Sequence, residues 1–236
     1  MNETNLNTTP VVSSIKYLME AGANFSTDDV GYINAYIAEP EVRIVANVAV
    51  IGGLVPSTTG DDAYPLDEIG LSRIVMANRR HSSEEDIELV KKVHAGKAGK
   101  YALLLDIYEH STVTVHLPGE LIGGYCWDTS SKSAAWVPSP ELARTIGREV
   151  SALVKELGMT RADAEQQVAK TYCRKELEVF NAWNNGEVYG VCVYAVDIET
   201  GEIRDEDECW GYIGYQYATD ALTQCMELTS NQYCRQ

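Results

Sequence analysis

Basic residues are scarce in this chain, which has 19 lysines and arginines against 35 aspartates and glutamates and a formal net charge of −16. Phosphate groups would repel such a protein, so its composition argues against direct binding to nucleic acid or to an anionic membrane. Hydrophobic residues make up 45% of the 236 positions, which is ample for a folded core. We therefore expect a globular protein whose partners are neutral or basic.

Long apolar runs are also lacking. No stretch approaches the roughly 18 to 20 apolar residues that a membrane-spanning helix needs. The opening residues, MNETNLNTTPVV, lack the basic and then apolar segments of a secretory signal. We therefore expect a cytoplasmic protein whose six cysteines are reduced thiols.

The common catalytic and cofactor motifs are missing as well. The sequence contains no GxxxxGK[ST], GxGxxG, HExxH, CxxC or GxSxG, so phosphate-loop, dinucleotide, zinc-peptidase and α/β-hydrolase chemistry lose their usual support. His81, His94 and His116 show no ligand spacing with one another or with the cysteines. We expect no metal site and no cofactor.

The pattern of helix and strand signals predicts an α+β protein: an antiparallel sheet with helices packed mainly on one face, plus a small mixed unit at the N-terminus. The small unit, residues 1–72, is expected to hold helices at 11–21 and 28–38 and one buried strand at 42–51. The polar stretch PSTTGDD at 56–62 is the best candidate for a boundary before a core domain, residues 73–236.

In the core domain, Ser83, Ser139 and Thr160 stand where helix N-caps are expected. An apolar strand at 188–196 is followed by Gly201 and an acidic run, which predicts a hairpin whose second strand, at 203–208, is more exposed to solvent. A C-terminal helix should pack back on the sheet. The remaining predicted strands cover residues 101–108, 111–117, 121–127 and 133–137.

One group of side chains is chemically sufficient for nucleophilic catalysis. A thiol or hydroxyl needs a base, and an imidazole oriented by a carboxylate is the usual one. Cys126 or Ser111, with His110 and Asp128, would supply these parts. The alternative is structural: these polar residues stabilise turns, and Trp127 lies in the core.

Acidic residues concentrate at the two ends of the chain. Residues 1–72 and 181–236 each carry a net charge of −8, whereas residues 73–180 are balanced. Such asymmetry can mark an interaction surface, although acidic faces also simply keep proteins in solution. The predicted partner-binding residues are those of the acidic hairpin: Asp197, Glu199, Glu202, Asp205, Glu206, Asp207, Glu208, Trp210 and Tyr212, with Asp28, Asp29, Asp61 and Asp62 as a second group.

Four motifs in residues 101–222 resemble a family of uncharacterised proteins from tailed phages, prophages and mobile elements. The matching positions are Tyr108, His110 and Ser111; Trp127 and Asp128; Gly186, Glu187, Val188, Tyr189 and Gly190; and Cys209, Trp210, Gly211 and Gly214. Thr112 and Thr129 depart from the Gly and Ser usual in that family. The resemblance implies a phage or mobile-element setting and no particular reaction.

Three functional hypotheses follow. The first is a non-enzymatic inhibitor that binds a host restriction or CRISPR nuclease in the host cytosol, with carboxylates placed where the nuclease expects DNA phosphates. The second is a small hydrolase or transferase that uses His110, Asp128 and Cys126 or Ser111. The third is a structural or assembly role in a phage.

Overall fold

A computed structural model describes residues 40–57, 71–77, 82–121 and 126–234. The predicted helices at 11–21 and 28–38, the strand at 121–127 for the most part, and the second acidic group lie outside these residues. Within them the α+β class is confirmed. The strands are β1 (Glu41–Val45), β2 (Val48–Pro56), β3 (Ser72–Met76), β4 (Leu103–Glu109), β5 (Val113–His116), β6 (Thr129–Pro138), β7 (Val188–Asp197) and β8 (Ile203–Ile213). The helices are α1 (Glu84–His94), α2 (Pro140–Leu157), α3 (Arg161–Asn184) and α4 (Tyr215–Tyr233).

The described residues form two antiparallel sheets where one was expected. Their strand orders are β1-β2-β7-β8 and β3-β6-β4-β5. The chain correspondingly divides into two compact units. The terminal unit contains the described residues up to 57 and those from 187 onward, and the central unit contains those from 71 to 186. This division differs from the boundary at residue 72, because β2 pairs along its whole length with β7.

In the terminal unit, the single strand predicted at 42–51 is wrong: β1 and β2 form a tight hairpin. Val45 pairs with Val48, and Ala46 adopts a φ of 52° in the turn between them. Alanine rarely takes this left-handed conformation, and the turn contains no glycine that would have marked it in the sequence. On one face of the sheet, Leu222 and Met226 of α4 pack against alternate residues of β2 and β7.

In the central unit, helices cover both faces of the sheet. Helices α2 and α3 pack around the fully buried Trp136 and Leu105, whereas Val90 and Val93 of α1 pack on the opposite face. The expectation of helices mainly on one face therefore holds for α2 and α3 but not for α1. Among the helices of the described part, none is both long and apolar enough to cross a bilayer.

Local signals set the helix ends as predicted. The Ser83 and Thr160 hydroxyls accept the backbone N–H groups of Asp86 and Asp163, and Ser139 caps α2 just before its first-turn proline. Gly158 ends α2 in the left-handed conformation, with a φ of 64°. These contacts span only three or four residues, which is why sequence alone located them.

Candidate functional site

The acidic residues of β8 lie at an edge of the terminal unit's sheet. Strand β7 is an inner strand, paired with β2 on one side and β8 on the other, and β8 has no second neighbour in the described sheet. Residues 203–211 are all exposed to solvent. An edge strand leaves one row of backbone N–H and C=O groups unpaired, and charged side chains are a usual protection against aggregation there.

The register places the four consecutive acids on two faces of the sheet. Asp207 lies opposite Val193 and Asp205 opposite Ala195, on the face that α4 covers. Glu206 lies opposite Tyr194 and Glu208 opposite Cys192, on the other face. The Tyr194 hydroxyl donates a hydrogen bond to Glu208 Oε1. The strand therefore presents carboxylates on both sides of its free edge.

Asp197 differs from its acidic neighbours because it is buried. Its Oδ1 accepts the backbone N–H groups of Glu199 at 2.8 Å and Thr200 at 2.9 Å, and its Oδ2 forms an ion pair with Arg204. The hydrogen bond from Thr200, with those from Glu199 and Arg204, lowers the pKa of Asp197. Asp197 thus stabilises the hairpin turn and does not belong to the exposed surface on which we placed it.

The predicted hairpin turn itself is present. Gly201 has a φ of 75°, and the remaining acids of the turn, Glu199 and Glu202, are exposed. Arg204, the basic residue of β8, is paired with Asp197, so its charge is not available to neutralise the exposed acids that follow it.

Trp210 and Tyr212 have different surroundings. The Trp210 ring lies against Gly190, where an added Cβ would come within 2.6 Å of Cε3, yet the side chain remains 47% exposed. Tyr212 is half-buried, and its ring centroid lies 5.6 Å from that of Tyr217. A hydrogen bond with Cys209, together with burial, raises the pKa of Tyr212 to about 12. Trp210 is therefore the more accessible of the two to a partner.

The structure brings together only part of the proposed catalytic group. His110 Nδ1 lies 3.3 Å from Asp128 Oδ2, and the His110 side chain is 67% exposed. Cys126 Sγ lies 3.6 Å from Thr129 Oγ1, and in the described residues no hydrogen bond joins it to His110. Ser111 lines a cleft in the central unit. The contact between His110 and Asp128 is thus present, and among the described residues no hydrogen bond joins it to Ser111 or Cys126.

Trp127 corrects the structural alternative. We expected it in the core, but its side chain is 98% exposed in the turn before β6. The turn is held by Thr129, whose backbone N–H donates to Cys126 O at 3.0 Å. Packing in the described part of the central unit therefore does not explain this indole.

The histidines do not assemble a metal site in the described part of the chain, where no group of three or more His, Cys, Asp or Glu side chains could hold an ion. His116 lies 2.8 Å from Thr114 Oγ1, and burial lowers its pKa. His94 Nε2 lies 3.0 Å from the carbonyl oxygen of Lys132. His81 is outside the described residues.

Sequence reasoning missed a buried carboxylic acid in the central unit. Ser72 and Trp136 donate hydrogen bonds to Glu176 Oε2, and burial raises the pKa of Glu176 despite these donors. Its helical position among apolar residues offered one signal, since Glu176 shares the buried stripe of α3 with Cys173 and Leu177. The contacts tie α3 to β3 and β6, so this acid is a structural element.

Sequence reasoning also missed the cleft. It has a volume of about 650 Å³. Its described lining comes from three parts of the chain: residues 73–76 with the nearby Asp86, residues 111–113, and Phe180, Trp183, Asn184 and Asn185 at the end of α3. Nothing in the spacing of these segments predicts that they meet. Ser111 was the one described lining residue that the sequence analysis had proposed as a site residue.

No protein family, curated protein or solved structure matches this chain when its sequence and fold are compared with known proteins. The resemblance to phage and mobile-element proteins is untested by these comparisons and stays a prediction. The structural description establishes an α+β protein whose acidic edge strand and cleft lie in separate units.

Proposed function

We propose that this protein is a non-enzymatic inhibitor that binds a basic, DNA-binding host defence nuclease, of the restriction or CRISPR kind, in the host cytosol. The observation that carries the proposal is the exposed edge strand β8, with a carboxylate at every position from 205 to 208. A positively charged DNA channel is a natural receptor for such a strand, because electrostatic attraction speeds the encounter and selects the partner.

The spacing of the acids supports mimicry of a nucleic-acid strand. An antiparallel strand rises about 3.4 Å per residue, and one strand of B-DNA carries one phosphate per roughly 3.4 Å of helix axis. Counted over both faces of the sheet, four consecutive acids therefore match the axial charge density of one DNA strand, and each face presents two of them about 6.8 Å apart. Glu199 and Glu202 extend the acidic surface at the hairpin end, and Trp210 adds an exposed indole at the other.

The test is a DNA-cleavage assay with purified restriction and CRISPR nucleases, using wild-type protein as inhibitor. A variant with D205N, E206Q, D207N and E208Q should lose at least roughly tenfold in inhibitory potency, because each lost charge-assisted contact weakens binding. The matched control removes four exposed acids elsewhere and should inhibit like wild type: Glu88, Glu141, Glu156 and Glu178 become glutamine.

The same assay is repeated at different salt concentrations and with added competitor DNA. Raising salt from about 0.05 M to 0.3 M should weaken inhibition, because exposed charges are screened over a Debye length of about 10 Å at 0.1 M. Added non-cleavable DNA should compete with the inhibitor. Inhibition that is independent of both salt and the four acids, or the absence of inhibition for every nuclease tried, would reject the proposal.

The His110–Asp128 contact of 3.3 Å favours a second candidate, a small hydrolase or transferase. Here Asp128 would orient His110 as general base, and the Ser111 or Cys126 side chain would be the nucleophile. This candidate predicts that His110→Ala abolishes turnover of chromogenic ester substrates while the fourfold acidic variant retains it. Equal turnover by wild type and His110→Ala would remove the candidate.

A further inference from the structure

The cleft of the central unit has the size of a small-molecule site. Its volume of about 650 Å³ lies within the roughly 300–1,000 Å³ that is typical of ligand pockets. The acidic strand belongs to the terminal unit, so an inference from the cleft is independent of the function proposed above. Polar, apolar and charged side chains line the cleft.

The polar lining consists of hydroxyl and amide groups, each able to donate and accept hydrogen bonds. Asn184 Nδ2 donates to the carbonyl oxygen of Val113 at 2.9 Å, which orients this amide. Neither the Ser111 hydroxyl nor the Asn185 side-chain amide forms a hydrogen bond to another described residue, and both line the cleft with Thr112. These groups suit the polar edge of a neutral molecule.

The apolar lining is equally extensive. It comprises Ile74 and Met76 of β3, Val113 of β5, and the aromatic rings of Phe180 and Trp183, whose centroids lie 6.1 Å apart. A ligand that fills the cleft must therefore have a broad apolar face as well as a polar edge. A sugar with hydroxyl groups in all directions would leave some of them unpaired against these side chains.

Arg73, the one basic side chain among the described lining residues, is already paired. The Arg73 guanidinium lies 2.9 Å from Asp86 Oδ1 and 3.4 Å from Glu85 Oε1, so two carboxylates already occupy it. A phosphate group entering the cleft would have to displace one of them and would face the charge of the other. The electrostatics therefore favour an uncharged ligand over an anionic one.

From these observations we propose that the cleft binds an uncharged purine nucleoside, with adenosine as the preferred ligand. The flat faces of the base fit the apolar lining, while its edge meets the amides and hydroxyls. Asparagine is the side chain that pairs with adenine through two hydrogen bonds, to N6 and N7, and Asn185 has its amide available for this pairing.

Isothermal titration of the full-length protein tests this ligand class, with adenosine, AMP and glucose as the titrants. We expect the Kd for adenosine to be at least roughly tenfold lower than the Kd for AMP or for glucose. AMP or glucose binding as tightly as adenosine, or no adenosine binding up to about 5 mM, would overturn the proposal.

Two single variants test the location. Asn185→Ala and Ser111→Ala should each weaken adenosine binding roughly five- to tenfold through the loss of one or two hydrogen bonds. The matched control is Ser131→Ala, an exposed serine of β6 that does not line the cleft, and it should bind like wild type. All three positions are at least partly exposed, and circular dichroism checks that each variant is folded. Wild-type affinity in both Asn185→Ala and Ser111→Ala would show that the nucleoside binds elsewhere and would refute the assignment.

Discussion

Strands β7 and β8 belong to one hairpin, yet they differ in almost every property that a strand can have. Strand β7 is inner and buried over nearly its whole length, and residues 191–196 are valine, cysteine, valine, tyrosine, alanine and valine. Strand β8 is an edge strand that is exposed and carries four acids in succession. The fold therefore depends on the buried side chains of β7, whereas the exposed side chains of β8 are available to bind a partner.

The largest loss of stability should come from placing an acidic residue, as found in β8, at a buried position of β7. Val193 is buried and lies directly opposite Asp207. Val193→Asp would place an uncompensated carboxylate in the core beside a like charge, and we expect a loss of about 3–5 kcal/mol in the free energy of unfolding. Urea denaturation followed by circular dichroism measures this loss.

The reciprocal change is the control for that experiment. Asp207→Val alters an exposed side chain at the paired position and should change the free energy of unfolding by less than about 0.5 kcal/mol. Comparable losses for Val193→Asp and Asp207→Val would contradict the division of labour between the two strands.

A smaller loss of stability should follow from adding a side-chain atom where Gly190 of β7 packs against Trp210 of β8. Gly190→Ala places a Cβ 2.6 Å from the Trp210 ring, so the ring must move. We expect destabilisation of about 1–3 kcal/mol, which is typical of overpacking. The same substitution in a Trp210→Ala background should cost much less, and a double-mutant cycle by urea denaturation measures the difference. An unchanged cost in that background would mean that the ring is not the obstacle.

Stability at low pH should depend on Asp197 more than on the exposed acids. Because the folded protein lowers the pKa of Asp197, its contribution to stability is present above the unfolded value of 3.8 and is lost as pH falls through the folded value. Between about pH 6 and pH 2.5, the urea midpoint of wild type should fall more steeply than that of Asp197→Asn. Glu199→Gln, in the same turn, should keep the wild-type slope. Equal slopes for wild type and Asp197→Asn would contradict this role of Asp197.

A small effect on stability is expected for the fourfold variant that should weaken inhibition. Neutralising Asp205, Glu206, Asp207 and Glu208 together should change the free energy of unfolding by no more than about 1 kcal/mol, since surface substitutions are individually minor. Thermal unfolding measures this change. A loss above about 2 kcal/mol would mean that β8 also holds the fold, and loss of inhibition by that variant could then not be assigned to recognition.

Features encoded by neighbouring residues were predictable from the sequence. The caps at Ser83, Ser139 and Thr160, the turn at Gly201 and the exposed β8 each depend on contacts within a few positions. The two-sheet arrangement was not predictable, because apolar alternation shows that a strand has a buried face without showing which strand it pairs with. The pairing of β2 with β7 joins residues far apart in the chain.

The candidate site was predictable only in part, for the same reason. The acids of β8 were identified by their composition, whereas the burial of Asp197 depends on Arg204 and on the backbone N–H groups of its turn. The His110–Asp128 contact required β4 and the start of β6 to be neighbours. The cleft forms where three distant parts of the chain meet, and the sequence of any one part does not predict that it lies near the other two.

The pairing of β2 with β7 also sets the order in which the protein can form during translation. After β2 leaves the ribosome, more than a hundred residues must be made before β7 is available. At about 5–20 residues per second, β2 waits roughly 7–28 s for its partner. The central unit is contiguous in this interval and can fold first, while the β1–β2 hairpin keeps an unpaired apolar edge. We therefore expect nascent chains of this protein to depend on chaperones until β7 and its acidic neighbour β8 arrive.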